Sequence, residues 1–232
     1  MLFEDGNGTR FIGKFDDGTR PYIIPNEITA GRLASHVQLN APKFREVIRY
    51  QGEDYVLLEW IVGSAKFVDV IKWYDVERSF KNLDVFRRVY CFDFWIGNVD
   101  RNFGNLMVRK LQSEQDPELW IIDHERALLD CGPDDVAMKE IHGMICQDVV
   151  EINYHEIVEQ CYQSRLDFDA SIATIQSVSN AQIEDAVFRD TDELFVGKDF
   201  RTELVSNLKE RRDRLGFYMN CLFQSGRLSE KL

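Results

Sequence analysis

The stretch Gly97–Val108 reads GNVDRNFGNLMV and places an aspartate, Asp100, five positions before an asparagine, Asn105. Its first nine residues hold two glycines and three asparagines, a composition typical of a loop. The residues after Asn105 turn apolar, and a second apolar run, Leu119–Ile122, ends at Asp123. A polar linker joins the two runs. They therefore predict a hairpin in which Asn105 and Asp123 lie side by side at one edge.

From about residue 63 the pattern turns helical. Residues 84–96, DVFRRVYCFDFWI, are apolar on most sides and predict a buried helix that leads into the loop. Near the end of the chain, with Arg212 as the one interruption, apolar residues recur at steps of three and four: Val205, Leu208, Leu215, Met219 and Leu222. A helix facing the core is favoured there, and a dimerising coiled coil is the alternative.

The first 62 residues mix strands with one helix. RFIGKF at residues 10–15 predicts a strand, and Asn26 is expected to cap a helix over NEITAGRLASHV. FREVIRY and EDYVLLEWIVG follow as strands joined by a Gln-Gly turn. The order predicts an α+β protein with a small strand-rich lobe at residues 1–62 and a larger helical lobe at residues 63–232 that carries the hairpin.

Two carboxylates and an amide at the ends of such elements suit phosphoryl transfer from a nucleotide. One carboxylate accepts or orients the attacking hydroxyl, while the amide and the second carboxylate hold Mg²⁺ against the phosphates. Magnesium prefers hard oxygen ligands and takes only a few of them from the protein. An Asp followed by an Asn at this spacing is by itself a weak signal, so the rest of the chain must supply the context.

The same mechanism needs a cation on the α/β-phosphates, usually a strand lysine held by a glutamate on the next helix. Lys14 lies in the first predicted strand, and Glu27 lies in the first turn of the predicted helix. Each has a plain structural explanation, Lys14 as a solvating charge on an edge strand and Glu27 as an acid favoured by the helix dipole. Their joint position ahead of the Asp/Asn/Asp set favours the functional interpretation.

With these segments in this order, the chain resembles the HipA-like kinases, members of the protein-kinase-like superfamily that also includes the phosphatidylinositol kinases. The resemblance spans residues 10–128 and rests on GKF, NEITAGRLA, YVLLEWI, FDFWIGNVDRNFGN and LWIIDHERAL. It implies a bilobal protein-kinase-like fold, ATP and Mg²⁺ as cofactors, and transfer of a phosphoryl group to an acceptor. In the first lobe it implies that Lys14 contacts the phosphates and pairs with Glu27. The connector around Glu59 and Ile61 would offer backbone groups to adenine.

In the second lobe the resemblance implies that Asp100 is the catalytic base and that Asn105 and Asp123 ligate Mg²⁺. Asn102 stands where many kinases keep a lysine near the γ-phosphate. Arg101 is the candidate to supply that missing charge.

Three other features have a structural expectation. The EDGNG stretch, Glu4–Gly8, is expected to form a hairpin turn and not a phosphate cradle. His124 is expected to be a hydrogen-bonded structural residue. Asp93, on the buried helix, is expected to accept hydrogen bonds that anchor the loop after it.

Composition narrows the class of protein. The net charge of −12 argues against a nucleic-acid binder, and the chain has no apolar run long enough to span a membrane. The five cysteines are scattered without a CxxC spacing, which predicts free thiols in a reducing compartment, the cytoplasm. Residues 111–160 hold 13 Asp plus Glu against 2 Lys plus Arg, which favours a basic protein over an anionic lipid as acceptor.

Other functions stay open at this point. A pseudokinase could keep the fold and bind nucleotide without transfer. A metal-dependent phosphoester hydrolase could use the Asp/Asn/Asp set, but it would not need Lys14 or Glu27. Transfer of AMP uses a similar frame. The preferred hypothesis is an active kinase acting on a protein Ser or Thr, with the oligomeric state left open.

Overall fold

A computed structural model describes residues 1–16, 18, 22–72, 76–98, 100–110, 117–128, 155–189, 197–226 and 228–231. Trp73, Cys131, Cys146 and much of the acidic stretch 111–160 lie outside the described residues. Within the described residues no helix is long and apolar enough to cross a membrane.

Four antiparallel strands form the first sheet. They are β1 (Leu2–Glu4), β2 (Arg10–Phe15), β3 (Phe44–Tyr50) and β4 (Glu53–Glu59), in the spatial order β1-β2-β4-β3. The predicted β2 strand is confirmed. The Gln51–Gly52 turn is also confirmed, and both residues have positive φ, 52° and 92°, as a tight turn of this kind requires.

Helix α1 runs from Ile23 to His36 and packs on this sheet. It begins earlier than predicted, so the assignment of Asn26 as its N-cap was wrong. The Asp16 carboxylate accepts a hydrogen bond from the Ile24 amide at 3.1 Å and thereby satisfies one of the donors at the helix start. Asn26 lies within the helix, and its side chain donates to the Glu125 carbonyl at 2.9 Å. Helix α1 is thus tied to the segment that follows Asp123.

A second sheet lies in the middle of the chain. It contains β5 (Ser64–Lys66), β6 (Leu106–Arg109) and β7 (Glu118–Ile121), in the order β5-β6-β7. The hairpin of β6 and β7 was predicted. Strand β5 was not, because we expected helix from residue 63. It is too short to show a period of two, and its pairing with β6 determines its conformation.

Helices make up the rest of the described chain: α2 (Phe67–Val70), α3 (Val76–Ser79), α4 (Asp84–Ile96), α5 (His155–Gln160), α6 (Asp169–Gln176), α7 (Asn180–Phe188) and α8 (Lys198–Gln224). Short 3₁₀ turns span Phe103–Asn105 and Arg165–Phe168.

Helix α4 has the predicted bounds and lies at the centre of the main core. The apolar residues of α8 face that core, and the Trp95 indole of α4 donates to the Leu208 carbonyl of α8 at 2.9 Å. Arg212, the one interruption in the pattern, is satisfied by donating to the Val178 carbonyl at 2.6 Å. The core-facing alternative for this helix is therefore confirmed. The division of the chain into lobes at residues 62 and 63 stays a prediction.

Candidate active site

Lys14 and Glu27 form a partly buried ion pair between the first sheet and helix α1. The Lys14 ammonium lies 2.5 Å from the Glu27 carboxylate, and the Glu27 side chain is almost fully buried. Glu27 also accepts a hydrogen bond from the His124 amide at 2.9 Å, and its second oxygen lies 3.3 Å from Nδ1 of His124. The carboxylate thus holds β2 and the segment after β7 together.

The same ammonium also reaches the second aspartate. Lys14 Nζ lies 2.8 Å from Asp123 Oδ1 and 3.6 Å from Glu125 Oε1. Asp123 has a left-handed backbone, with φ of 62°, a conformation that non-glycine residues adopt at some cost and that often marks functional positions. The structure therefore gathers one cation and three carboxylates, those of Glu27, Asp123 and Glu125.

The protonation states follow from these contacts. Burial disfavours the Glu27 carboxylate, but the Lys14 ammonium and the His124 hydrogen bond outweigh it and lower the pKa of Glu27 to about 2. Burial also disfavours the charged form of Lys14, yet Glu27 and Asp123 raise its pKa above the ordinary 10.5. For Asp123, burial is outweighed by hydrogen bonding with Glu125 and by Lys14, so its pKa is lowered.

The loop after α4 presents Asp100 and Asn105. Gly97, with φ of 67°, ends α4 in the left-handed conformation that favours glycine. The Asn105 side-chain nitrogen donates to the Asp100 carbonyl at 2.9 Å, and the Asn102 side chain donates to the same carbonyl at 3.1 Å. The backbone of Asp100 is thus fixed. Its carboxylate makes no hydrogen bond or ion pair with the described residues, which leaves it available to a ligand.

Arg101 is buried beneath this loop and does not supply the phosphate charge that we expected of it. Its guanidinium makes two hydrogen bonds to the Asp93 carboxylate, at 2.9 and 3.0 Å. It also donates to the carbonyls of Asn105 and Ile122, at 2.9 and 2.8 Å. The side chain is fully enclosed. A planar guanidinium suits this buried multidentate role, so Arg101 fixes the Asp100 loop against the strand end that carries Asp123.

Asp93 and His124 have the structural roles that were predicted. Asp93 is buried and accepts hydrogen bonds from Arg101 and from the Asn98 side chain at 2.9 Å, and thereby anchors the loop. His124 is buried against Glu27. The turn after β1 is also confirmed, because the Asp5 carboxylate accepts hydrogen bonds from the Asn7 and Thr9 amides, both at 2.9 Å.

A cleft of about 280 Å³ opens beside the Lys14–Asp123 pair. Ile12 and Leu58 of the first sheet, Met107 of β6 and Ile122, the residue after β7, line it, and the connector Glu59–Ile61 closes one side. The walls are mostly apolar with a few polar groups, which is typical of small-molecule sites. The predicted connector residues and the predicted phosphate-side residues therefore border one cavity.

Comparison with known proteins bears on this geometry. A family model described as HipA-like kinase matches residues 4–218. The chain belongs to the HipA-like kinase family. The sequence resemblance and the kinase-type function that it implies are thereby supported. No curated protein sequence matches the chain.

Two solved structures share the fold of this HipA-like kinase. The proinflammatory kinase CtkA of Helicobacter pylori has a TM-score of 0.66 and 14% identity, and the match covers 97% of this chain and 94% of that one. HipA of Shewanella oneidensis MR-1, solved with HipB and operator DNA, has a TM-score of 0.54 and 13% identity over 95% of this chain and 64% of that one. At these identities the likeness establishes the fold, and the predicted α+β fold with a sheet lobe and a helical lobe is confirmed.

The residues present suit a hard divalent cation. Because the Asn105 nitrogen is used by the Asp100 carbonyl, its oxygen is the atom left to ligate, and Asp123 contributes a carboxylate. One amide oxygen and one carboxylate, completed by phosphate and water, match what Mg²⁺ takes from a protein in nucleotide sites.

Two features of this candidate site were not predicted from the sequence. Glu125 is near Lys14 because the chain turns after Asp123, and only its position two residues beyond Asp123 could have drawn attention to it. The structural use of Arg101 was also missed, since a sequence shows that the residue is charged but not that it is buried. From the sequence, the apolar residues that line the cleft could be recognised only as members of strands.

Proposed function

We propose that this HipA-like kinase is a Mg-ATP-dependent phosphotransferase that modifies a Ser or Thr of a protein. The observation that carries the proposal is the position of Lys14, held between Glu27 at 2.5 Å and Asp123 at 2.8 Å at the border of the cleft between the two sheets. A lysine fixed in this way suits contact with the α/β-phosphates of a nucleotide.

The apolar part of the cleft would hold the adenine base. Ile12 and Leu58 on one side and Met107 and Ile122 on the other could enclose a planar ring. Not every connector group is free to bind it. The Glu59 amide donates to the Lys43 carbonyl at 2.9 Å, and the Ile61 carbonyl accepts from Ser64. The Ile61 amide remains open to the base, because the described residues provide no acceptor for it.

The reaction would take place where the Asp100 loop meets Asp123. Asn105 and Asp123 would hold Mg²⁺, which neutralises charge on the phosphates when it is bound. Asp100 would orient the acceptor hydroxyl and take its proton as the oxygen forms a bond to the γ-phosphorus. The bond from that phosphorus to the β–γ bridging oxygen then breaks, and ADP leaves. Arg101 would not touch the substrate. It would hold the Asp100 loop and the end of β7 in fixed positions relative to each other.

The choice of a protein acceptor rests on the acidic charge of residues 111–160. Residues 111–160 carry 13 acidic and 2 basic residues, a balance that attracts a basic protein and repels an anionic lipid surface. Protein Ser or Thr is thus the preferred acceptor class.

Phosphotransfer from γ-labelled ATP to the chain itself and to a basic protein tests the proposal. We expect Mg-dependent labelling by the wild type and a loss of roughly 10²-fold or more in Asp100→Asn, because a general base typically contributes that much. The variant should still bind ATP, since Asp100 does not line the cleft. Wild type that binds ATP without releasing ADP or labelling an acceptor would instead identify a pseudokinase.

A further inference from the structure

A second cleft, larger than the nucleotide cleft, lies at the C-terminal end of α1. It measures about 780 Å³ and is bordered by α1, the segment 38–45, Trp120 of β7 and the residue after α7. None of the carboxylate residues that the structure describes lines it, and four cationic residues do: Arg32, Lys43, Arg45 and Arg189. In a chain with a net charge of −12, this local reversal of sign is unexpected. A cleft lined by one sign of charge concentrates the field of its residues.

Two of the four cations are available to a ligand. Lys43 and Arg45 are exposed and form no salt bridge with the described residues, although Arg45 attracts the Asp5 carboxylate through space. The other two are partly engaged. Arg32 donates to the Arg189 carbonyl and lies over the Phe44 ring at 5.5 Å, and Arg189 pairs with Asp185. Arg32 and Arg189 form one wall of the cleft, and the exposed Lys43 and Arg45 lie beside that wall.

We propose that this cleft binds an acidic peptide segment through carboxylate or phosphorylated side chains. Arginine and lysine recognise both groups by charge-assisted hydrogen bonds. The volume is larger than a single inorganic anion requires, and the Trp120 ring adds an apolar surface for the peptide chain.

The cleft is distinct from the site of phosphotransfer but shares a wall with it. Pro42 lines both cavities, whereas Lys43 and Arg45 line only the basic one. Behind that wall, the Asn40 carbonyl accepts from the Ile121 amide at 2.9 Å, and the Asn40 side chain donates to the Leu119 carbonyl at 3.1 Å. Changes to Lys43 and Arg45 therefore leave the nucleotide site and this bridge intact.

Fluorescence anisotropy of labelled peptides on the full chain tests the proposal. The probes are a short Glu-rich peptide with a central serine, the same peptide with phosphoserine, and a neutral peptide of equal length. We expect the acidic peptides to bind, the neutral one not to bind, and added salt to weaken binding. Stronger binding of the phosphoserine form assigns the site to phosphorylated partners, and equal binding assigns it to carboxylate-rich ones.

The double variant Lys43→Glu/Arg45→Glu should weaken peptide binding at least about tenfold, because it replaces two attractive contacts with repulsion between like charges. A matched control, Lys72→Glu/Lys198→Glu, makes the same change of charge at exposed lysines outside the cleft. It should bind like the wild type. ATP binding verifies that both variants are folded. Equal loss in the two variants, or no binding of either acidic peptide to wild type at millimolar concentration, would overturn the proposal.

Discussion

The Lys14 ammonium lies 2.8 Å from the Asp123 carboxylate, although 109 residues separate them in the chain. The contact joins a strand of the first sheet to the end of β7, on either side of the apolar cleft. Glu27 holds the same ammonium from helix α1. In a nucleotide-binding site of this type, one side chain would meet phosphate and the other metal. In the proposed nucleotide site, their contact would therefore mark where the triphosphate enters.

Removing the ammonium should strongly reduce transfer. We expect Lys14→Ala to lose roughly 10²-fold or more in phosphotransfer, because the phosphates lose their fixed cation. The change also leaves Glu27 buried and unpaired, at a cost of roughly 3–5 kcal/mol in folding free energy. The double variant Lys14→Met/Glu27→Gln removes both charges and should recover much of that stability but no activity. A metal-dependent hydrolase would keep its activity in both variants.

Arg101 should matter for stability more than any surface arginine. Arg101→Ala strands the buried Asp93 carboxylate, so we expect a loss of roughly 3–5 kcal/mol in the free energy of unfolding, measured in urea. Arg189→Ala is the matched control because it also breaks an Arg–Asp pair, but an exposed one. The midpoint of urea unfolding of Arg189→Ala should stay close to that of the wild type. Similar midpoints for the two variants would contradict the anchoring role.

Stability should fall in acid partly through Glu27. Its pKa in the folded chain, about 2, lies below the ordinary value of 4.5. A lowered pKa gives stability that is fully present above about pH 4.5 and is lost as the pH falls towards 2. Urea unfolding across that window should show a shallower pH dependence in Glu27→Gln than in the wild type. Other carboxylates also titrate there, so the difference between the two proteins is the informative quantity. If the stability of the two proteins falls with pH in the same way, Glu27 is not ionised in the folded chain.

The fold was predictable wherever a local pattern is long. Strand β2 and helix α4 have the bounds that the sequence predicted, because each is a run rich in apolar residues that ends at a segment of turn or loop composition. Strand β5 was missed because three residues show no period, and pairing with β6 alone fixes it. The start of α1 was misplaced because the residue that accepts from Ile24 is Asp16, which stands seven positions before the helix.

The candidate site was predictable as a set of residue types but not as a network. Lys14 and Glu27 pair, as the resemblance implied, and Asp123 lies against the same ammonium. The assignment of Arg101 failed because burial decides its role, and burial depends on contacts with distant segments. Glu125 was missed for the same reason, since only the turn after β7 brings it towards Lys14.

Binding of ATP by calorimetry, with and without Mg²⁺, tests the central claim most directly. The comparison is between the wild type, Asp123→Ala and Glu118→Ala, which removes a carboxylate from the same hairpin but outside the cleft. We predict Mg-dependent binding in the wild type and in Glu118→Ala, and its loss in Asp123→Ala. Absence of binding to wild type at millimolar ATP, or equal Mg-dependent binding by Asp123→Ala, would contradict a nucleotide site built on Lys14 and Asp123.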